Sequence, residues 1–352
     1  MYRLGNELIF TLFGESHSEF IGGIIEGLPE GFKIDPDLIN KDLALRKPSS
    51  GIGTPRTEDD IPEFTEGLVE NTATGKPIRF IIRNKNTDSS KYAKFSTTPR
   101  PGHADLPALV KFKGHEIKGG NQFSGRLTAA IVVAGSIARQ YISQYGIEIS
   151  AFTRSIGNVE DPDDRDLFDA ITAKTYQTRA CTKVLDEKMT SEILSASSDS
   201  DSVGGVVECI TIGLPIGFGG IWFEALDAEI ARAVFGIPAC KGIEFGKGFE
   251  ITKLRGSESN DPFYYDNGIK TRTNNMGGIL GGMSDGAPLV FRAAFKPTPS
   301  IGKEQNTVNL KELRNDTVKV EGRHDPCIVP RAVIVVEAVT ALVIADQIRR
   351  GF

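Results

Sequence analysis

Apolar residues fall along this chain in two kinds of run. Short alternating or compact runs at Leu8–Phe13, Gly22–Gly27, Ile78–Arg83, Glu148–Thr153, Gly205–Ile212 and Ala287–Phe295 predict strands. Two long runs predict helices. Ser124–Tyr145 is apolar on nearly every side up to Ile137, and Val329–Arg349 is similar. A helix that is apolar all round belongs in the interior, so both are expected between other layers. Leu226–Val234 predicts a shorter amphipathic helix. Strands and helices do not alternate regularly. No strand runs into G-x-G-x-x-G, and no G-x-x-x-x-G-K-[ST] is present, which argues against a Rossmann unit and a P-loop. Without a repeat, a low-complexity block or a clear linker, one domain over residues 1–352 is the expectation.

Composition narrows the class. With 39% hydrophobic and 25% charged residues, the chain can bury a sizeable core. A formal net charge of −5 gives no global attraction to nucleic acid or to an anionic membrane, so neither is expected as a partner. An anionic ligand would need locally gathered cations. Cys181, Cys209, Cys240 and Cys327 form no C-x-x-C pair, so reduced thiols in a cytoplasmic protein are expected. The opening MYRLGNELIFTLFGESH lacks the layout of a signal peptide. Arg331, Glu337 and Asp346 break the C-terminal apolar run, which suits a buried helix better than a membrane span.

Candidate chemistry gathers at histidines. Three of the four lie in tight polar motifs: His17 in GESH, His103 in RPGHAD and His324 in GRHDPC; His115 lies in a Lys/Gly-rich loop. Histidine suits proton transfer near neutrality, although any one alone is more often a structural hydrogen-bonder. His17, His103 and Asp325 have no metal-site spacing, so no metal is expected, and no G-x-S-x-G elbow supports a hydrolase. Arg46, Lys47, Arg56, Arg126, Arg323 and Lys296 sit in the same kinds of motif. Singly each is a surface charge or cap; together they suggest an anion pocket, with Ser124-Gly125-Arg126 opening the buried helix where backbone N–H groups favour an anion. The glycine-rich stretch Gly277–Gly286 is a set of turns or a place where a flat cofactor approaches the backbone. These observations describe an enzyme that grips phosphorylated anions and handles protons with His17 and His103.

The motifs together resemble the chorismate synthase family over nearly the whole chain. They are GESH at 14–17, RPGHAD at 100–105, SGR-x-T at 124–128, DSVGG at 201–205, GLP at 213–215, LDAEIARA at 226–233, GIPACKGIEFG at 236–246, GGILGGMSDG at 277–286, KPTPS at 296–300 and GRHDPC at 322–327. RPGHAD, KPTPS and GRHDPC in this order are specific; GESH alone is not. The resemblance implies an α+β fold, a β-α-β sandwich with a helical layer between antiparallel sheets, assembled as a homotetramer. It implies 1,4-anti elimination of phosphate from 5-enolpyruvylshikimate-3-phosphate to give chorismate, in the shikimate pathway of aromatic amino acid biosynthesis. Reduced FMN is required without net redox change, with NADPH as an indirect reductant.

Residue by residue, the resemblance implies that His17 is the acid that protonates departing phosphate. A neighbouring dianion favours the imidazolium form such an acid needs. His103 looks like the residue that serves the reduced flavin near N1. Asp325 looks like the group near N5 that helps the ring proton leave. Ser16, Arg46, Arg126 and Arg323 look like substrate contacts. Ser124, Pro238, Ala239, Gly286, Lys296, Pro297, Thr298, Pro299, Ser300 and Arg323 fall where the family binds FMN, and Arg46 falls at an NADPH contact. The chain departs from the commonest pattern in three places. Ser18 replaces the Gly that usually follows GESH, which would restrict the backbone beside His17. Gln122 and Phe123 replace Arg and Ser, removing one cation and one hydroxyl from the expected FMN contact. Near position 52 a second arginine is usual, and Arg56 is the nearest here. The competing readings are an NADPH-dependent flavin reductase and a non-catalytic anion-binding protein.

Overall fold

In the computed structural model, residues 2–49, 51–54, 59–85, 90–321 and 325–351 are described. Arg56, Arg323 and His324 lie outside them. The first sheet has the order Tyr2–Leu4, Ile9–Gly14, Phe20–Glu26, Ile78–Arg83, Pro62–Glu66, antiparallel throughout. The second has the order Cys240–Phe245, Leu289–Phe295, Gly205–Ile212, Glu148–Ile156, Val159–Glu160, also antiparallel.

Two helices fill the space between the sheets. Thr128–Ser143 packs toward the first sheet and Val329–Arg349 toward the second, and the two lie against each other. The α+β sandwich is therefore present. Both helices are buried on nearly all sides, because each faces a sheet on one side and a helix on the other. At their crossing a Cβ on Gly135 would lie 2.3 Å from the Ala338 Cβ, so only glycine permits this approach. The helices Pro36–Arg46 and Leu226–Val234 extend the layer. One hydrophobic cluster runs from Phe10 and Phe80 through Val133 and Val336 to Phe291 and Cys209. A smaller one, around Phe152 and Ala170, lies under the helix Leu167–Ala173.

The charges that interrupt the C-terminal apolar run have partners. Buried Glu337 accepts hydrogen bonds from Arg139 at 2.8 Å, Lys174 at 3.0 Å and the Ala151 N–H at 2.8 Å. Asp346 Oδ1 accepts the N–H groups of Asn6, Glu7 and Leu8 at 2.7–2.9 Å, tying the N-terminal hairpin to the last helix. No described helix is long and apolar enough to cross a membrane. All four cysteines are free and buried, and burial pushes the Cys327 thiol up to about 12.

Candidate active site

The site lies at one end of the sandwich, where a loop of the first sheet meets the N-terminal ends of both interior helices. The loop between Ile9–Gly14 and Phe20–Glu26 carries Ser16 and His17. Ser18 does not strain it: its backbone is outside the left-handed region. Its hydroxyl lies 2.8 and 2.7 Å from the carbonyls of Glu15 and Phe20, with one proton to give to either, and accepts the Glu15 N–H at 3.1 Å, so the side chain braces the turn. The buried Ser16 hydroxyl lies 2.9 Å from His17 Nδ1. The His17 ring packs edge-on to Tyr92, with centroids 5.6 Å apart, and sits over Gly119. A Cβ at Gly119 would lie 2.1 Å from His17 Cε1, so the ring occupies the space of the missing side chain.

Gly119 connects this histidine to the second one. Its carbonyl accepts from Arg100 NH2 at 2.9 Å. Arg100 also grips Asp105 through Nε at 2.7 Å and NH2 at 2.7 Å, and Asp105 Oδ1 lies 2.6 Å from His103 Nδ1. Burial raises the Asp105 carboxyl, but hydrogen bonds from Arg100 and His103 more than reverse this and hold it far below the usual range. Arg100 NH1 reaches the Ser300 hydroxyl at 3.4 Å, and Lys296 Nζ donates to the Gly102 carbonyl at 2.8 Å. Burial, with Lys241 nearby, lowers the Lys296 pKa. The Lys296 N–H donates to the carbonyl of Ala239 at 3.0 Å, which brings Pro238 and Ala239 to the same corner. The Lys296–Ser300 turn continues to the third group: the Thr298 hydroxyl donates to the Asp325 carbonyl at 2.8 Å.

Asp325 stands just before the C-terminal helix. Its Oδ2 accepts from Arg331 at 2.5 Å, and Oδ1 is buried with no hydrogen-bond partner. Burial raises its pKa, and Arg331, with the backbone N–H groups of Cys327 and Thr54 turned toward the carboxylate, offsets only part of the rise. Arg331 Nε donates to the Arg46 carbonyl at 3.0 Å, which closes the circuit to the arginine pair. Arg46 and Arg126 share one carboxylate, Asp60, which contacts Arg46 at 2.5 Å and Arg126 on its other oxygen. Burial lowers the Arg46 pKa to about 10, against the pull of Asp60, so Arg46 stays charged at neutrality. Burial raises the Asp60 carboxyl, and the two arginines bring it below its ordinary value. Arg126 Nε donates to Asn84 Oδ1 at 2.9 Å. Ser124 caps the short turn Gly125–Leu127 by accepting the Arg126 N–H at 3.2 Å, and the α-helix begins only at Thr128.

His17, Ser16, His103, Asp325, Arg46, Arg126, Ser124, Pro238, Ala239 and Lys296–Ser300 thus belong to one contiguous region. Gly286 does not. It precedes the strand Leu289–Phe295, whose far end leads into Lys296, so about 20 Å of strand separates them. Phe123 packs edge-on to His115, with centroids 6.3 Å apart, and is half exposed. Sequence reasoning missed Asp60, Asn84, Arg331, Arg100 and Asp105. The last two had a signal, since they flank His103 within RPGHAD; Asp60 and Asn84 act through long-range pairing that spacing does not encode, and Arg331 pairs with Asp325 across the start of the last helix. Among the described residues no group of three His, Cys, Asp or Glu side chains gathers as a metal site.

Cationic side chains around two histidines and a buried carboxylate define an enzyme-like site for an anionic ligand. Comparison with known proteins makes this specific. The chorismate synthase family model matches residues 8–348. A chorismate synthase of Dehalococcoides mccartyi is 46% identical over 353 residues, covering 99% of this chain and 96% of its own. That of Thermococcus gammatolerans is 45% identical, covering 98% and 97%. That of Methanocaldococcus jannaschii is 42% identical, covering 100% and 97%. A crystal structure of a chorismate synthase superposes with a TM-score of 0.76 at 27% identity, covering 97% of this chain and 92% of that one. The chain belongs to the chorismate synthase family, and with it to the lyases of the shikimate pathway.

Proposed function

We propose that the site binds 5-enolpyruvylshikimate-3-phosphate beside reduced FMN and eliminates phosphate and a ring hydrogen to give chorismate. The observation that carries this is the single chain of contacts from His17 through Gly119, Arg100 and His103 to Lys296–Ser300 and Asp325. It sets two histidines and a carboxylate around one region.

The residues fit a flavin. Asp325 Oδ1 is a buried acceptor with no well-formed hydrogen bond, although the backbone N–H groups of Cys327 and Thr54 lie toward the carboxylate, so it has room to accept a ligand N–H. Lys296–Ser300 and Ser124 would hold FMN with Pro238 and Ala239, and Arg323 would meet its phosphate. Gly286 would join from a second copy, in keeping with a homotetramer. The reduced flavin, when bound, supplies transient electron density for C–O cleavage. His17 donates a proton to the departing phosphate as a general acid. Ser16 orients the His17 ring. Asp325, with its raised pKa, accepts the proton from the ring carbon. Arg46 and Arg126 supply a fixed positive field for the substrate's anionic groups. The burial of Arg46 favours this role over contact with NADPH, which serves only as an indirect reductant. We assign the chain, as one domain over 1–352, to the cytoplasm.

Phosphate and chorismate should form only with dithionite-reduced FMN. His17→Ala and His103→Ala should each lower the rate on the order of 10²-fold, with little change in flavin binding measured by fluorescence quenching. Full activity in both variants would sink the role assignment. Rapid NADPH oxidation without the enolpyruvyl substrate would instead support a flavin reductase.

A further inference from the structure

We propose that Asp105 is a positioning residue that fixes His103 with its proton on Nδ1 and leaves Nε2 as the nitrogen facing the ligand. The orientation toward a flavin rests on the function proposed above; the tautomer does not.

The argument is a count of hydrogens. Two groups lie near His103 Nδ1: Asp105 Oδ1 at 2.6 Å and Arg100 NH2 at 3.2 Å. They demand opposite things. A carboxylate requires Nδ1 to carry a proton, whereas a guanidinium, which only donates, requires a bare Nδ1. Arg100 NH2 has two hydrogens, and both have closer acceptors: Asp105 Oδ1 at 2.7 Å and the Gly119 carbonyl at 2.9 Å. None remains for His103. The 3.2 Å approach is the third side of a triangle closed by Asp105.

Asp105 has no freedom to behave otherwise. Its side chain is 2% exposed, and Oδ2 accepts the Arg100 Nε–H at 2.7 Å and the Arg100 N–H at 3.1 Å. It is therefore held as an acceptor-only carboxylate. With Nδ1 committed, the ring pivots little, and no hydrogen bond reaches Nε2 among the described residues. That nitrogen accepts from a ligand when the ring is neutral and donates when it is protonated. Arg100 ties the arrangement to both neighbours, since it holds the Gly119 carbonyl beneath His17 and contacts the Ser300 hydroxyl.

The chain has four histidines, so ring spectra of 15N-histidine-labelled protein are simple, and His103→Gln identifies the signal that disappears. At a pH where the ring is neutral, His103 should appear as the Nδ1–H form. In Asp105→Asn, Arg100 keeps the amide oxygen and turns the NH2 toward Nδ1, so the ring should switch to the Nε2–H form. That variant should lose at least about tenfold in kcat with KM changed less than about threefold, and Asp105→Glu should recover most of the loss. An Nε2–H tautomer in the wild type would overturn the proposal whatever the variants do. So would an unchanged tautomer in Asp105→Asn. Should Asp105→Asn fail to fold, the wild-type spectrum and Asp105→Glu still decide. Full activity of His103→Gln would instead remove the flavin role of His103 and leave the tautomer result standing.

Discussion

At the residue scale the least expected group is Asp60. It is almost wholly buried, its φ of +52° lies in the left-handed region, and its single negative charge is shared by two buried guanidiniums. A non-glycine residue in that region costs about 1–3 kcal/mol and persists only where its surroundings repay it. Here the repayment is electrostatic: without Asp60, Arg46 and Arg126 face each other across a space sealed from water. Removing one partner of a buried ion pair costs about 3–5 kcal/mol, because the remaining charge is left uncompensated. Asp60→Ala should therefore lower the unfolding free energy by a margin of that order, read as a lower urea midpoint. Asp60→Asn, which keeps one acceptor oxygen for one of the two arginines, should lose somewhat less. Equal loss in both would show that charge alone matters; no loss in either would remove Asp60 from the account.

At the element scale, the interior helices were legible because burial on all sides leaves a long apolar run in sequence. Leu226–Val234 was legible because its polar and apolar faces are distinct. The helices Pro36–Arg46 and Lys183–Ser198 were not, since few of their residues are buried and their apolar stripes are thin. Their caps were nevertheless written in the chain. Asp35 accepts the Asp37 N–H ahead of Pro36, and Thr182 accepts the Leu185 N–H. The site was partly legible for a related reason. Residues inside one motif are close by necessity, whereas the pairing of Arg126 with Asp60 or Asn84, 66 and 42 positions away, exists only once the interior helices are packed in place. The tightest demand of that packing is Gly135. Gly135→Val should place two methyl groups inside the backbone of Val329–Arg349 and destabilise the fold by at least the roughly 1–3 kcal/mol typical of overpacking, read as a strongly lowered Tm. Gly135→Ala already violates the contact, so even this small change should be visible by calorimetry.

At the scale of the whole molecule, the buried carboxylates make stability depend on pH. Asp60 and Asp105 have depressed pKa values in the folded state. Their contribution is present above the unfolded carboxylate value of about 4 and is lost as pH falls toward the folded values. Asp42, Glu208 and Asp325 are raised by burial, so their contribution runs the other way: present at low pH and lost as pH rises through their folded values. Urea midpoints should therefore fall steeply below about pH 4, and less steeply in Asp60→Asn, which no longer titrates there. A slope unchanged by the substitution would assign the acid loss to other groups.

The surface carries one further prediction at this scale. Ile221, Trp222 and Phe223 stand on a short turn with 59%, 82% and 94% of their surfaces exposed, more than an isolated turn gains by displaying. Three neighbouring large apolar residues left in water favour association, and the expected homotetramer supplies an occupant that is always at hand. The chain has one tryptophan, so Trp222 reports on its own environment. If this turn is covered by a second copy, Trp222 emission should be blue-shifted at high protein concentration and move to the red on dilution, in step with a fall in sedimentation coefficient. Phe223→Ser should shift both transitions to higher concentration without changing the far-ultraviolet dichroism. Emission already typical of a water-exposed indole in the assembled protein would place the subunit contact elsewhere, whatever the oligomeric state.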